Sequence, residues 1–217
     1  MSWTKEFGKA CGVLLDIIVN WLALARINPN ALTLIGLGVN TVAAFLFGYA
    51  TAENQRRMFF YAGLVIIGSG FFDLVDGRVA RASNQVTRFG GFFDSVVDRY
   101  SDVSLFLGLL VYYARGNRFF YVVLTALVMT GAVMVSYARA RAESLIGSCR
   151  VGFMERPERL VLLIIGALFN RMAPVLWVIA VLGNITVIHR ILYTWRQTQI
   201  LDAAAATTST TASTQAA

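Results

Sequence analysis

Four aspartates lie close together in one stretch of this sequence, and their type and spacing are the clearest indication of chemistry. Asp73 and Asp76 are three residues apart, and Asp94 and Asp98 are four residues apart. Side chains at these separations share one face of a helix, so each pair is expected to present two carboxylates together. Two such faces turned toward each other would form a cage of four carboxylates.

Apolar runs on both sides place these aspartates in or beside membrane-type helices. One run extends from Phe59 to Phe72 and the other from Val103 to Tyr113. An aspartate near the middle of a bilayer costs roughly 2.5 to 3.5 kcal/mol, so four would cost on the order of 10 kcal/mol. Cations or protons must therefore accompany them. Oxygen ligands alone suit Mg²⁺ or Mn²⁺, so the cage is expected to bind two such ions and a phosphate-containing substrate.

Small and basic residues around the aspartates agree with a phosphate ligand. Gly77 follows Asp76 directly, and Gly90 lies one turn before Asp94, so each leaves room for a ligand or a neighbouring backbone. Arg81 offers a planar set of donors that suits a phosphate. Intramembrane aspartates also serve in ion and proton translocation. An ion-coupled membrane transporter is therefore an alternative from a different functional class.

The rest of the chain reads as one multi-pass membrane domain with an all-α fold. Of the 217 residues, 57% are hydrophobic, and the apolar runs approach the length that crosses a bilayer. Six transmembrane helices are expected within residues 26–196, after an interfacial amphipathic helix over residues 1–25. Residues 197–217 are rich in Ala, Thr and Ser and are expected to be a disordered tail. The predicted spans are about 31–51, 58–78, 91–114, 118–142, 156–170 and 173–195.

Basic residues are distributed unevenly between the two sides of the predicted bundle. With a cytoplasmic N-terminus, fourteen of the 19 Lys and Arg residues fall on or near that side. The positive-inside rule then predicts a cell (inner) membrane protein whose aspartates face the cytoplasm. The same rule accounts for the net charge of +7, so no nucleic-acid partner is expected. The basic residues on the opposite side are Arg56, Arg57, Arg115, Arg118 and Arg171.

A second polar cluster is predicted around the connection between the fourth and fifth apolar segments. Glu155 and Glu158 alternate with arginines there, and Arg190 lies within the last apolar segment. Guanidinium groups bind phosphate through paired donors. Arginines that converge beside the carboxylates would therefore bind an acceptor alcohol that is itself phosphorylated. The candidates for this acceptor-phosphate site are Arg139, Arg156, Arg159 and Arg190.

The aspartate motif resembles the motif of the CDP-alcohol phosphotransferase family at every fixed position. It reads Asp73-x-x-Asp76-Gly77-x-x-Ala80-Arg81, then eight residues, then Gly90-x-x-x-Asp94-x-x-x-Asp98. The resemblance implies a membrane enzyme with six transmembrane helices, commonly a homodimer, that transfers a phosphatidyl group from a CDP-linked lipid to an alcohol and releases CMP. It further implies that Asp73, Asp76 and Asp94 bind metal and that Asp98 is both a metal ligand and the general base.

The resemblance also covers the residues expected around the nucleotide. The segment from Pro29 to Thr33 is similar to the family's entry into its first transmembrane helix, where the nucleotide is contacted. Thr87 matches a nucleotide-contacting position as well. The nucleotide-binding residues implied in this way are Asn30, Ala31, Leu32, Thr33, Gly77, Arg81 and Thr87.

Two segments narrow the expected acceptor. Residues 140–143, Ala-Arg-Ala-Glu, and residues 152–159, Gly-Phe-Met-Glu-Arg-Pro-Glu-Arg, resemble the bacterial phosphatidylinositol phosphate synthases. That branch condenses CDP-diacylglycerol with inositol 1-phosphate. Arg139 stands where a lysine is usual in the branch. A phosphatidylglycerophosphate synthase is an alternative within the family, and a membrane prenyltransferase is a more distant one that gives no reason for Gly77, Ala80 and Arg81.

Overall fold

The computed structural model describes residues 28–82 and 86–215, and the regular structure within those ranges is entirely α-helical. This confirms the all-α fold class for the described part of the chain. The interfacial helix predicted for residues 1–25 lies outside the described residues. The helices are α1 (Pro29–Gly48), α2 (Gln55–Ala82), α3 (Arg88–Arg115), α4 (Phe119–Ile146), α5 (Arg156–Leu168) and α6 (Met172–Gln215).

Helix α1 packs against both α2 and α3 and fixes their relative position. It begins after Asn28, whose side chain accepts a hydrogen bond from the backbone N–H of Asn30 at 3.0 Å. Ser69 of α2 donates to the Gly36 carbonyl at 3.1 Å. The Asn40 side-chain amide donates to Ser101 of α3 at 3.0 Å. These buried polar contacts join the two aspartate-bearing helices through α1.

Aromatic residues fill the core at the end of the bundle where α1 and α3 finish and α2 begins. The rings of Phe47 and Phe59 meet edge to face with centroids 4.9 Å apart, and Phe59 meets Tyr112 at 5.0 Å. All three side chains are buried. Such pairs add about 0.5 to 1.5 kcal/mol each beyond the burial of apolar area. The aspartates therefore lie at the opposite end of a bundle that is anchored by this aromatic core.

The connection between α4 and α5 folds back onto α6. Gly152 has φ = 112°, and a Cβ at this position would lie 2.5 Å from Thr186 Cγ2, so only glycine fits there. The backbone N–H of Met154 donates to the Thr186 hydroxyl at 3.1 Å. Helix α5 then begins at Arg156, with the Glu158 carboxylate accepting from the Glu155 N–H at 3.1 Å. This geometry fixes the start of α5 against the last helix.

Three helical stretches in the described part of the chain are long and apolar enough to cross a membrane: Pro29–Gly48, Phe119–Ile146 and Met172–Ala204. Helices α2 and α3 each carry several Asp and Arg residues. Helix α5 has only 13 residues and is therefore about 20 Å long. Six helices of the predicted order are present, and three of them have the composition of a membrane span.

The last helix differs from the sequence prediction. Helix α6 continues to Gln215, through a segment for which the composition predicts disorder. The alanines from position 203 onward favour a helical backbone because alanine has the highest intrinsic helix propensity.

Candidate active site

Carboxylates from α2 and α3 converge on one guanidinium group, that of Arg156 at the start of α5. Asp73 Oδ2 lies 2.8 Å from Arg156 Nη1, and Asp98 Oδ1 lies 3.1 Å from Nη2. Asp102 Oδ1 is 3.6 Å from Nε. Asp73 of α2 and Asp98 of α3 therefore face each other, with the Arg156 guanidinium between them.

Close packing of α1 holds Asp73 in this position. Gly36 of α1 has no side chain, and a Cβ there would lie 3.2 Å from Asp73 Oδ1. A larger residue would push against the carboxylate. The Ser69–Gly36 hydrogen bond, one turn earlier on α2, ties the same two helices together.

The remaining motif residues occupy the predicted helices. Asp94 lies one turn before Asp98 on α3 and is partly buried. Asp76, Gly77 and Arg81 belong to α2, but their side chains lie outside the part of the structure that is described. The carboxylate cage is thus described at Asp73, Asp94 and Asp98, and Asp94 lies close enough to Asp73 and Asp98 for their charges to interact.

A fifth carboxylate, Asp102, was missed by the sequence reasoning. Its side chain is buried and accepts a hydrogen bond from Arg159 Nη2 at 2.5 Å. The signal was present, because Asp94, Asp98 and Asp102 recur every four residues and so share one face of α3. The family motif ends at Asp98, which is why the third member of the series was left out.

A cavity of about 340 Å³ opens beside this cluster, between α3, α4, α5 and α6. Carboxylates and arginines face each other across it, whereas most of the bundle is apolar. The charged residues that line it include Asp98, Asp102, Arg139, Glu155, Arg156 and Arg190.

Glu155 organises the arginine side of the cavity. Its Oε1 lies 3.0 Å from Arg139 Nη1 and 2.8 Å from Arg190 Nη2. Arg190 is 1% exposed and also donates to the carbonyls of Val135 and Val151, at 2.6 and 2.8 Å. Arg190 is therefore held on several sides, and Arg139 is the more exposed of the two arginines.

Three of the four predicted acceptor-phosphate arginines line this cavity, namely Arg139, Arg156 and Arg190. Arg159 does not line it. Its guanidinium is 2% exposed and is taken up by Asp102 and the Met154 carbonyl. Arg159 lies about one turn further along α5, where it is buried against Asp102 of α3, so its contacts are those of a structural ion pair.

Some of the predicted nucleotide residues come together at the start of α3. Thr87 caps α3 and accepts from the Gly90 N–H at 2.9 Å. A Cβ on Gly90 would lie 3.0 Å from Thr87 Oγ1 and 3.5 Å from Asn30 Oδ1. Of the other predicted residues on α1, Ala31 is exposed, whereas Leu32 and Thr33 are buried in the bundle. The side chains of Asn30 and Thr87 therefore both lie next to Gly90.

The carboxylate cluster suits a hard divalent cation. Within the described residues no three His, Cys, Asp or Glu side chains form a ready ligand set. Asp73 and Asp98 nevertheless each bond to the same cationic group. The ligand atoms are all carboxylate oxygens, which Mg²⁺ and Mn²⁺ prefer. Asp73, Asp98 and Asp102 outnumber Arg156 and Arg159, so the cluster retains negative charge that a metal ion would neutralise.

The family model for CDP-alcohol phosphatidyltransferase matches residues 26–212. The chain belongs to this family. The family membership that the motif predicted is thereby confirmed, and the matched region contains all the helices α1 to α5 and most of α6.

Named relatives of this phosphatidyltransferase share most of its length. It is 38% identical to an archaetidylinositol phosphate synthase of Pyrococcus horikoshii, over 82% of this chain and 88% of the relative. It is 33% identical to a phosphatidylinositol phosphate synthase of Mycobacteroides abscessus, over 78% of each chain.

Solved structures of a mycobacterial relative have the same fold. The phosphatidylinositol phosphate synthase of Mycobacterium tuberculosis with CDP-DAG bound matches at a TM-score of 0.75 and 29% identity, over 83% of this chain and 93% of that one. The same synthase in complex with manganese and citrate matches at a TM-score of 0.72 and 29% identity, over 83% of this chain and 88% of that one.

Proposed function

We propose that this phosphatidyltransferase moves the phosphatidyl group of a CDP-linked lipid onto inositol 1-phosphate, giving a phosphatidylinositol phosphate and CMP. The proposal rests on the cavity, which has a carboxylate on one wall and arginines on the other. Asp98 lies on one wall, and Arg139 and Arg190 lie on the other. A phosphorylated alcohol fits this arrangement because its phosphate would lie at the arginines while a hydroxyl group lies near Asp98.

In the proposed reaction Asp98 acts as the general base. Its carboxylate takes the proton from a hydroxyl group of the acceptor. The acceptor oxygen then forms a bond to the lipid-bearing phosphorus, and the bond between that phosphorus and the bridging oxygen of CMP breaks. CMP leaves with the bonding electrons. Arg139, Arg156 and Arg190 orient the acceptor through its phosphate, and holding both substrates in one site supplies the proximity effect.

Two divalent ions, Mg²⁺ or Mn²⁺, would be held by Asp73, Asp76, Asp94 and Asp98. When bound they neutralise the pyrophosphate and stabilise the charge on the leaving phosphate. The manganese complex of the mycobacterial synthase supports a divalent ion in this family. Asn30, Thr87, Gly77 and Arg81 would hold the nucleotide end. We give Arg159 a supporting role, through Asp102, in place of phosphate binding.

The acceptor assay tests this function directly. Purified enzyme in detergent is given CDP-diacylglycerol labelled in the cytidine monophosphate, together with Mg²⁺ and inositol 1-phosphate. CMP release with inositol 1-phosphate, and little with glycerol 3-phosphate or free inositol, is the expected result. Preference for glycerol 3-phosphate would instead favour a phosphatidylglycerophosphate synthase.

The lipid part of the substrate needs its own comparison. The relatives named above share inositol phosphate but differ in the lipid, archaetidyl in one and phosphatidyl in the others. We propose CDP-diacylglycerol for this chain, and CDP-archaeol in the same assay separates the two lipids. Faster turnover with CDP-archaeol would make that compound the proposed lipid substrate, and the proposed acceptor would stay inositol 1-phosphate.

A binding experiment separates an enzyme from an ion-coupled transporter. We expect CDP to raise the melting temperature of the protein only when Mg²⁺ or Mn²⁺ is present, because the ions bridge the carboxylates to the pyrophosphate. Stabilisation by cations alone, with no additional effect of CDP, would favour the transporter.

We further propose that all six helices cross the inner membrane, that the cavity faces the cytoplasm and that the enzyme is a homodimer. The excess of basic residues on that side supports the orientation. In a chain without its native cysteines, a cysteine at Ser148 is expected to react only from the cytoplasm and one at Asn117 only from outside. Cross-linking of the protein in membranes tests the dimer.

A further inference from the structure

Two arginines at the end of the bundle away from the aspartates have no acidic partner among the described residues. Arg115 ends α3, and Arg118 precedes α4. Arg115 Nη1 donates to the Gly48 carbonyl at 2.6 Å, and its Cζ lies 5.9 Å from the centre of the Tyr49 ring. No carboxylate of the described ranges, 28–82 and 86–215, lies within 4.0 Å of either guanidinium. Arg115 is therefore fixed in place by a carbonyl and an aromatic ring, without a carboxylate partner among the described residues.

Two cavities meet at Arg115. One is a groove of about 430 Å³ between α1 and α3, and the other is a pocket of about 300 Å³ that Arg115 and Arg118 share. The groove lies at the C-terminal end of α1, whereas Asn30 and the carboxylates lie toward its N-terminal end. Because α1 has 20 residues, these ends are about 30 Å apart. The paired cavities are therefore separate from the candidate active site.

The groove is suited to an apolar chain. Its walls are Phe45 on α1, Tyr49 directly after α1, and Leu107 and Val111 on α3. Gly108, at its floor, packs directly against the Ala44 backbone, so the floor lacks bulky side chains. The hydroxyl groups that reach the groove already have partners, since Thr41 donates to the Leu37 carbonyl at 2.8 Å and Ser104 to the Ser101 carbonyl at 2.8 Å.

We propose that this end of the protein binds an anionic phospholipid. The phosphate lies between Arg115 and Arg118, and one acyl chain lies in the groove between α1 and α3. The charge argument selects this occupant, because two guanidinium groups without a carboxylate partner in the described residues attract a phosphate. The apolar groove that ends at Arg115 accepts the attached chain. In the orientation proposed above, this lipid belongs to the leaflet opposite the one that supplies the CDP-linked substrate.

Native mass spectrometry of the full-length protein in detergent tests the site. The probes are phosphatidylglycerol and phosphatidylcholine with the same acyl chains, and glycerol 3-phosphate alone. We compare Arg115→Gln/Arg118→Gln with the matched control Arg56→Gln/Arg57→Gln, which removes two arginines of the same side that lie outside both cavities. The double change in the site is expected to weaken phosphatidylglycerol binding about tenfold, equivalent to about 1.4 kcal/mol.

The outcomes are distinct. The proposal is supported if phosphatidylglycerol binds the wild type and the control variant, while phosphatidylcholine and glycerol 3-phosphate bind weakly. It is overturned if Arg115→Gln/Arg118→Gln binds phosphatidylglycerol as well as the wild type does. It is also overturned if that variant becomes monomeric but keeps its bound lipid. Since Arg115 also bonds to Gly48, the single change Arg118→Gln, which leaves that bond intact, must weaken binding in the same direction. A second change, Thr41→Trp, fills the groove and must reduce binding of the long-chain lipid.

Discussion

Two charge clusters face the same cavity with different proportions of acid and base. Around Arg156, one guanidinium is shared by Asp73, Asp98 and Asp102. Around Glu155, one carboxylate is shared by Arg139 and Arg190. We call the first the acidic cluster and the second the basic cluster. Three carboxylates surround one arginine in the acidic cluster, whereas Glu143, the second partner of Arg139, brings the basic cluster to two arginines and two carboxylates.

This difference indicates where each part of the reaction would take place. The acidic cluster keeps unbalanced negative charge, so it favours a cation such as a divalent metal ion. The basic cluster has no net charge, but Arg139 is partly exposed at the cavity, so its guanidinium can exchange a glutamate partner for a phosphate. Both clusters are anchored by helix α5, because Glu155 caps it and Arg156 begins it. One short helix therefore sets the distance between the metal end and the acceptor end of the cavity.

The largest effect is expected from removing the proposed base of the acidic cluster. Asp98→Asn keeps the size of the side chain but removes its charge and its ability to take a proton. Turnover should fall by about a thousandfold, within the range that general bases contribute. Formation of labelled lipid product in detergent measures this. The control is Asp202→Asn, an exposed aspartate on α6, and near wild-type turnover in Asp98→Asn would remove the base assignment.

The second prediction concerns the buried pair behind the acidic cluster. Asp102→Asn leaves the Arg159 guanidinium buried without its counter-charge, which should cost about 3 kcal/mol of stability. Thermal unfolding in detergent, followed by tryptophan fluorescence, measures the loss. The double variant Asp102→Asn/Arg159→Met removes the stranded charge and should recover most of the melting temperature. An equally low melting temperature in both variants would contradict a paired role.

The sequence was sufficient to predict the family, the helical fold class and the facing of Asp73 and Asp98. Those features depend on the spacing of residues along helices and on the cost of burying charge. The sequence shows both the spacing and the charged residues that lie within apolar runs. The position of Asp102 beside the other carboxylates could also have been predicted, because it follows Asp98 by four residues on the same helix. The family motif ends at Asp98 and so does not include Asp102, although both residues lie on the same face of α3.

The contacts of individual arginines could not be predicted in the same way. Arg156 and Arg159 are three residues apart, and both looked equally suited to a phosphate. They differ in burial, because Arg159 is buried against Asp102 whereas Arg156 lines the cavity. The start of α5 is positioned by the contact of the preceding loop with Thr186, and no local pattern in the sequence encodes that contact.

The third prediction weakens the basic cluster alone. Arg139→Gln removes a cavity-lining charge whose partners are Glu143 and Glu155. The KM for inositol 1-phosphate should rise about tenfold with little change in kcat, in line with the loss of one charge-assisted hydrogen bond. Arg139→Lys should restore part of the affinity. Arg141→Gln, an exposed position on the same helix, is the matched control, and an equal rise in KM there would assign the effect to general surface charge.

The smallest effect, on metal affinity, separates the two clusters. Arg156 bonds to oxygens of Asp73 and Asp98 that a divalent ion would also use, so the arginine and the ion compete. Arg156→Gln should therefore strengthen Mn²⁺ binding in the absence of nucleotide by roughly threefold, about 0.7 kcal/mol, since water and salt screen most of the repulsion between the guanidinium and the ion. Isothermal titration calorimetry measures the affinity. Arg139→Gln should leave it unchanged because that arginine contacts only the basic cluster. Weaker Mn²⁺ binding in Arg156→Gln would mean that the arginine organises the carboxylates for the metal and does not compete with it.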